Sequence, residues 1–197
     1  MKEYYEARAP EYDDWWNGTG LFEVRERPGW EEERELLIAT LCGLTPARTL
    51  DVACGTGYLT QHLPGRITGL DASASMLEHA ARRVPSAAFV EGDALRLPFA
   101  DGVFERIVTG HFYGHLEEPE RSRFLAEAGR VAAELVVVDS ALRDDVEAEE
   151  QQVRELNDGS RWTVYKRYFR GTGLAAELGG GAVLHEGHWF VVVRATS

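Results

Sequence analysis

Short apolar runs recur through the first two thirds of the chain, and most of them end at an acid or a glycine. Arg48 to Val52 is the first and opens into the stretch LDVACGTGYLT; Ile67 to Leu70 is the second and ends at Asp71. Ala87 to Val90 leads to Gly92, Asp93 and Ala94; Val103 to Val108 ends at Thr109 and Gly110; Glu134 to Val138 ends at Asp139. Helical periodicity fills the gaps. It predicts a helix over Trp30 to Cys42 with Leu36, Leu37 and Leu41 on its apolar face and Gly43 as its stop. A short helix is expected after the glycine turn, ended by Pro64 and Gly65. Ser73 or Ser75 caps another, running to about Val84 with Met76, Leu77, Ala80 and Ala81 as its stripe. Pro119 opens a helix carrying Phe124, Leu125 and Ala128. Continuously apolar short strands alternating with helices imply a parallel sheet covered on both faces.

The two ends of the chain differ from this middle. Met1 to Trp16 spaces Tyr4, Tyr5, Tyr12, Trp15 and Trp16 as an amphipathic helix broken near Pro10. Two readings stay open: a helix packed on the core by its aromatics, or a lid over a ligand. Beyond Asp139, Asp144 to Gln152 reads as an acidic, solvated helix or loop, and Arg161 to Phe169 as an alternating strand. Thr172 is a candidate cap for a short helix to Leu178. Ala182 to His185 and Trp189 to Arg194, joined by a tight turn at Glu186 and Gly187, read as an antiparallel hairpin at the sheet edge.

Composition narrows the class. With 197 residues and five tryptophans the chain suits a single domain with a sizeable core. Its 33 Asp and Glu against 21 Lys and Arg give a formal net charge of −12, which repels polyphosphates. Nucleic acid and membrane partners are therefore not expected. The N-terminus lacks the basic start and apolar centre of a signal peptide, no stretch reaches the length of a membrane helix, and Cys42 and Cys54 read as reduced thiols. A cytoplasmic protein is expected, with a homodimer left open.

The chemistry concentrates at the strand ends, where an open parallel sheet binds ligands. There the sequence places Asp51, Asp71, Asp93, Thr109 with Gly110, and Asp139. Each acid has a plain alternative as a helix cap. Together, and with Gly55 and Gly57 in a turn that lets a ligand lie against the main chain, they read as one site.

LDVACGTG, then GLDAS, then EGDALRLPFADGVFERIV resembles the motif series of the class I S-adenosylmethionine-dependent methyltransferases, in particular the small subgroup related to quinone-biosynthesis methyltransferases. The similarity runs from about Tyr4 to Asp139, and the tail RYFRGTGLAAELGG with HEGHWFVVVRA is similar too. It implies a Rossmann-like, doubly wound, mostly parallel seven-stranded sheet with an antiparallel C-terminal hairpin and an N-terminal helical lid over residues 1–30. It also implies that Asp51, Ala53, Gly55 and Gly57 line the methionine part of the donor. Asp71 takes the ribose hydroxyls, Ala72 and Met76 flank the adenosine, and Asp93 with Ala94 meets the adenine. Thr109, Gly110 and His111 stand beside the reactive methyl. Arg8 and Tyr12 match the opening YYxxRAxxYD and are expected at the donor's carboxylate end. Trp162, Tyr165 and Tyr168, with Arg167, fall in the segment that varies most between such enzymes, about 143–171, and are candidate walls of the acceptor site or simply packed strand aromatics. The stricter family pattern has glycine where Ala53 stands.

A nicotinamide dinucleotide is the competitor. Its fingerprint needs GxGxxG, whereas Gly55 and Gly57 are followed by Thr60, and a pyrophosphate repels Asp51. The expected function is methyl transfer from S-adenosylmethionine, with S-adenosylhomocysteine as product, to a small-molecule acceptor. The alternative is a non-catalytic accessory or regulatory protein that binds the donor. If a general base is needed, the candidates are His111, Tyr113 and His115 in TGHFYGHL. His111 and His115 have helical metal-pair spacing but no third ligand beside them, so no metal is expected. His111 is read as shaping the methyl end, and His115, His185 and His188 as structural.

Overall fold

In the computed structural model, which describes residues 2–196, seven strands form one sheet in the order β3-β2-β1-β4-β5-β9-β8. They are β1 (Ala47–Val52), β2 (Gly65–Asp71), β3 (Ala88–Glu91), β4 (Arg106–Gly110), β5 (Glu134–Ser140), β8 (Ala182–Glu186) and β9 (Phe190–Thr196). The first five pair in parallel, while β9 lies antiparallel between β5 and β8. The expected C-terminal hairpin is therefore present, with β8 as the edge and β9 inside the sheet. Strand order reverses between β1 and β4, so the parallel strand ends diverge there and leave a crevice.

The apolar alternation of the strands divides between two cores. Leu50, Ile107, Val137, Val191 and Val193 face one side, under Phe124 and Ala128 of α5 (Glu120–Val131) and Leu174 of α6 (Gly171–Glu177). Val108, Val136, Val138, Phe190 and Val192 face the other, under Trp30, Leu37 and Leu41 of α3 (Trp30–Cys42) and under Trp16. The period of two puts successive residues of β5 and β9 on opposite faces, and both faces are covered.

Several local expectations change. Leu36 is 58% exposed; the buried stripe of α3 is Trp30, Glu33, Leu37 and Leu41, at spacings of three and four. Glu33 is on it because its carboxylate accepts the backbone N–H groups of His188 (2.9 Å), Trp189 (2.8 Å) and Phe190 (2.7 Å), and so holds the turn into β9. After the glycine turn there is only a 3-10 turn, Thr60–His62, because the six residues between Gly57 and Pro64 leave no room for a propagated α-helix. In α4 (Ala74–Arg83) Ser73 is the cap, accepting the Met76 N–H at 3.1 Å; Met76 and Ala80 are buried but Ala81 is exposed. β4 begins at Arg106, since Val103 lies in an exposed turn. Thr172 caps nothing: α6 starts at Gly171, whose N–H is accepted by Glu186 at 2.9 Å.

The acidic stretch at 144–152 is a solvated loop, as expected, only as far as Ala148. It enters β6 (Glu149–Glu155), which pairs antiparallel with β7 (Arg161–Arg167) as a separate two-stranded sheet. Two acids of β6 are matched across the hairpin, Glu149 by Arg167 at 3.3 Å and Glu155 by Arg161 at 2.9 Å. Against this hairpin packs α1 (Lys2–Arg8), with Tyr4 buried among Leu156, Val164 and Trp162. A 3-10 turn follows α1 at Ala9–Glu11, then α2 (Asp14–Asn17), so the break near Pro10 is where expected.

Candidate active site

The crevice at the strand reversal is shaped by four residues in the left-handed region. Ala53 (φ 56°), Gly55 (φ 54°) and Gly57 (φ 76°) follow β1, and His111 (φ 54°) follows β4. For Ala53 and His111 this conformation is sterically costly, by about 1–3 kcal/mol each. Costly backbone on two adjacent strand ends, aligned at Val52 and Thr109, marks a place where geometry is imposed by something other than folding. The φ of Ala53 also explains why glycine suits that position.

A cavity of about 210 Å³ lies over these ends. Its floor is Ala53 and Gly55, its walls include Leu70, Ala72, Met76, Asp93 and Ala94, and Gly110 and His111 stand at one end. Asp71 is fixed by backbone donors, the Gly55 N–H (2.9 Å) and the Ser73 N–H (2.9 Å), one to each oxygen. Each oxygen keeps lone pairs for a ligand. Burial raises the Asp71 pKa, with those backbone N–H groups acting in the opposite direction. Asp93 accepts the Leu95 N–H at 2.8 Å through a single oxygen.

Asp51, Gly57 and Thr109 do not line this cavity. Asp51 is 3% exposed and accepts the Thr60 hydroxyl at 2.6 Å. Burial pushes its carboxyl up to about 7, with Thr60 opposing and Asp71 reinforcing. Gly57 packs against Ala80 of α4, and the Thr109 hydroxyl donates to Val52 O at 2.8 Å across the strands.

The N-terminal segment covers the site and is fastened on both sides. Glu6 accepts the Ala74 N–H (2.8 Å) and the Ser75 hydroxyl (2.5 Å) at the start of α4. Asp13 pairs with Arg83 and accepts the Thr56 hydroxyl at 2.6 Å. On the hairpin side Glu11 accepts the Asn157 N–H at 2.7 Å. The Tyr12 ring lies on Gly55, where an added Cβ would meet it at 3.5 Å. Within this segment Tyr4 and Trp16 pack, whereas Tyr5 and Tyr12 face the site.

A second cavity, of about 970 Å³, lies between the N-terminal segment and the β6–β7 hairpin. Tyr5, Tyr12, His111 and His115 line both cavities. The His111 ring is packed by Trp15 (4.8 Å) and Trp16 (5.3 Å), its Nε2 has no hydrogen-bond partner among the described residues, and its Nδ1 is 4.0 Å from Asp139. Burial lowers its pKa to about 3, overriding the attraction of Asp139. His115, read from the sequence as structural, does pack by placing Nδ1 2.6 Å from Tyr165 O, yet it also faces both cavities.

The other candidates divide. Arg8 lines the large cavity only. Tyr113 lines neither: it is fully buried against Phe124 and Phe169, and its hydroxyl donates to Glu177 at 2.8 Å, which removes it as a general base for this site. Of the hairpin aromatics only Tyr168 lines the large cavity. Trp162 packs on Tyr4, and the Tyr165 side chain turns toward Arg121. Asp139, a strand-end acid, is spent on structure. Burial alone would raise it, but Lys166, 2.5 Å away, holds it below the usual carboxylate range. Sequence reasoning passed over Lys166 and Arg154, whose strands carry no regular alternation of cations that could have singled them out.

A doubly wound sheet with this strand order, a glycine turn at the reversal and a fixed acid at the end of the second strand define the class I methyltransferase architecture. Residues 49–134 match the model of a methyltransferase domain. A demethylmenaquinone methyltransferase of Thermotoga maritima is 36% identical over 103 residues, 50% of this chain and 44% of that protein. One from Lactiplantibacillus plantarum is 31% identical over 155 residues, 71% of this chain and 62% of that protein. The chain thus spans less than two thirds of the length of these curated relatives. Among solved structures, a DhpI–SAH complex is 26% identical with a TM-score of 0.71, covering 98% of this chain and 92% of that one. In fold, and in sequence over residues 49–134, the chain is similar to the class I S-adenosylmethionine-dependent methyltransferases, the quinone-biosynthesis enzymes among them.

Proposed function

We propose that the chain moves a methyl group from S-adenosylmethionine to a small-molecule acceptor by direct displacement. The observation that carries this reading is the shared wall: a narrow cavity lined by Asp71, Asp93 and Glu120 has Tyr5, Tyr12, His111 and His115 in common with a wide one. The residues suit the donor. Asp71 is a fixed acceptor for a pair of hydroxyls, Asp93 suits an amino group, and Leu70 and Met76 offer apolar faces to an aromatic base. Asp51, buried with one hydroxyl for a partner, supports a cationic amino-acid end nearby.

When bound, the donor supplies a methyl group on a positive sulfur, which keeps the carbon–sulfur electron pair as the acceptor's lone pair bonds to carbon. The protein's part is alignment and exclusion of water, worth up to about 7–11 kcal/mol. Tyr12 over Gly55 and the Trp15–Trp16 pair around His111 close that space. At neutral pH His111 is uncharged and only weakly basic, which favours its shaping the passage over its taking a proton.

The test uses donor labelled in its methyl group, the full chain and a pool of low-molecular-weight metabolites. Label is expected in a small molecule and is expected to fall in Asp71→Asn at subsaturating donor. Donor binding with no label transferred to any pool favours the accessory reading; no donor binding rejects both.

A further inference from the structure

We infer that the acceptor is a small organic anion, carrying a carboxylate or phosphoryl group, held by the guanidinium groups of Arg8 and Arg154 and the hydroxyl of Tyr4. This rests on the methyl-transfer reading and deepens it. Both arginines line the large cavity, one from α1 and one from β6. Both converge on one phenol oxygen: Arg8 Nη1 donates to Tyr4 Oη at 2.7 Å and Arg154 Nη1 at 3.5 Å. Neither forms an ion pair with a carboxylate among the described residues, although Arg8 is only 8% exposed. Arg154 also donates to the Gln152 Oε1 at 2.9 Å, so both cations rest on neutral acceptors, and two like charges beside one oxygen repel each other. An anion between them removes that repulsion, and the Tyr4 proton remains free to serve as a further donor.

The rest of the lining does not supply that anion. Arg143 and Lys166 are matched by Asp145 (2.9 Å) and Asp139 (2.5 Å). Of the cavity's other acids, Glu11 accepts the Asn157 N–H at 2.7 Å, Glu150 accepts the Tyr168 hydroxyl at 3.0 Å and Glu155 pairs with Arg161 at 2.9 Å, while Glu26 forms no ion pair with either arginine among the described residues. In a chain of net charge −12, carboxylate-free arginines facing one cavity run against the composition. The Arg8 guanidinium also lies 4.9 Å from the centre of the Tyr12 ring, and Tyr12 is part of the wall shared with the donor cavity. An anion held there keeps the rest of a small acceptor beside the passage at His111. An uncharged quinol would leave both arginines unmatched.

The probes are inorganic phosphate and benzoate, titrated into the full chain loaded with S-adenosylhomocysteine, with potassium chloride at matched ionic strength. Tryptophan fluorescence reports binding, because Trp15, Trp30 and Trp189 line the cavity. Saturable quenching by phosphate or benzoate, absent with chloride, is expected, and the stronger of the two assigns the anion class. Arg154→Gln is expected to weaken it about tenfold or more, as for loss of a charge-assisted contact, while S-adenosylhomocysteine affinity stays unchanged. Should Arg154→Gln fold poorly, Tyr4→Phe, checked by circular dichroism, is expected to weaken the same anion. Equal responses to chloride, or unchanged anion affinity in the variant, overturn the inference. Loss of S-adenosylhomocysteine binding in the parent chain strikes the donor reading alone, since the anion titration of the unloaded chain still decides this one.

Discussion

At the scale of single residues, Asp51 makes the sharpest statement. Its carboxyl sits at about 7 in the folded chain against 3.8 when unperturbed. The folded state therefore holds a proton that the unfolded state has released, and the stability this brings is present below about pH 3.8 and lost as pH rises through about 7. The full excursion is about 4 kcal/mol at the outside. Thermal melting of the ligand-free chain is expected to fall across that window, and Asp51→Asn to flatten the profile and raise the melting temperature above pH 7. The same substitution should weaken donor binding by removing a negative charge beside the cationic end, a through-space effect since Asp51 does not itself line the cavity. For the parent chain, calorimetric affinity for the donor should tighten as pH rises through about 7. A flat affinity would remove Asp51 from the cationic end.

Residues also show what the sequence could reveal. Asp71 and Ser73 were legible because their roles are local: an acid two residues before a cap needs only its own turn. Glu33 was not, since the N–H groups it accepts lie over 150 residues away. Tyr113 misled because a residue three positions beyond a strand end can turn into the site or into the core, and Phe124 and Phe169 decide for the core.

At the scale of elements, the parallel strands and α3, α4 and α5 follow from apolar runs and periodicity, whereas β6 does not. A strand bearing acids at Glu149, Glu150 and Glu155 reads as solvated until β7 supplies its cations. That hairpin is tied to the sheet by Lys166 and Asp139. Lys166→Met should cost about 3–5 kcal/mol in chemical denaturation, because Asp139 is left buried and unpaired, and Asp139→Asn should restore part of the loss. The N-terminal cover is anchored by the buried Tyr4 and Trp16, while the stretch between them is tied to α4 and the hairpin by polar contacts, the kind that open below the global unfolding energy. S-adenosylhomocysteine is expected to slow tryptic cleavage at Arg8; equal cleavage with and without it would show that the segment does not respond to the donor site.

At the scale of the molecule, one chain builds two cavities that share a wall, one from the strand ends and one from segments added around them. The first was readable from LDVACGTG, GLDAS and EGDA. The second was readable only through single residues, Arg8, Tyr12, His111 and Tyr168, because its walls come from α1, the β6–β7 hairpin and the turn after β4, which meet only in three dimensions. The central claim is that the smaller cavity is a donor site organised by Asp71. Calorimetric titration of S-adenosylmethionine into the parent chain and into Asp71→Asn tests it most directly. The account predicts one molecule bound per chain and an affinity about 10- to 100-fold lower in the variant. No binding, or equal affinity in both chains, would contradict it.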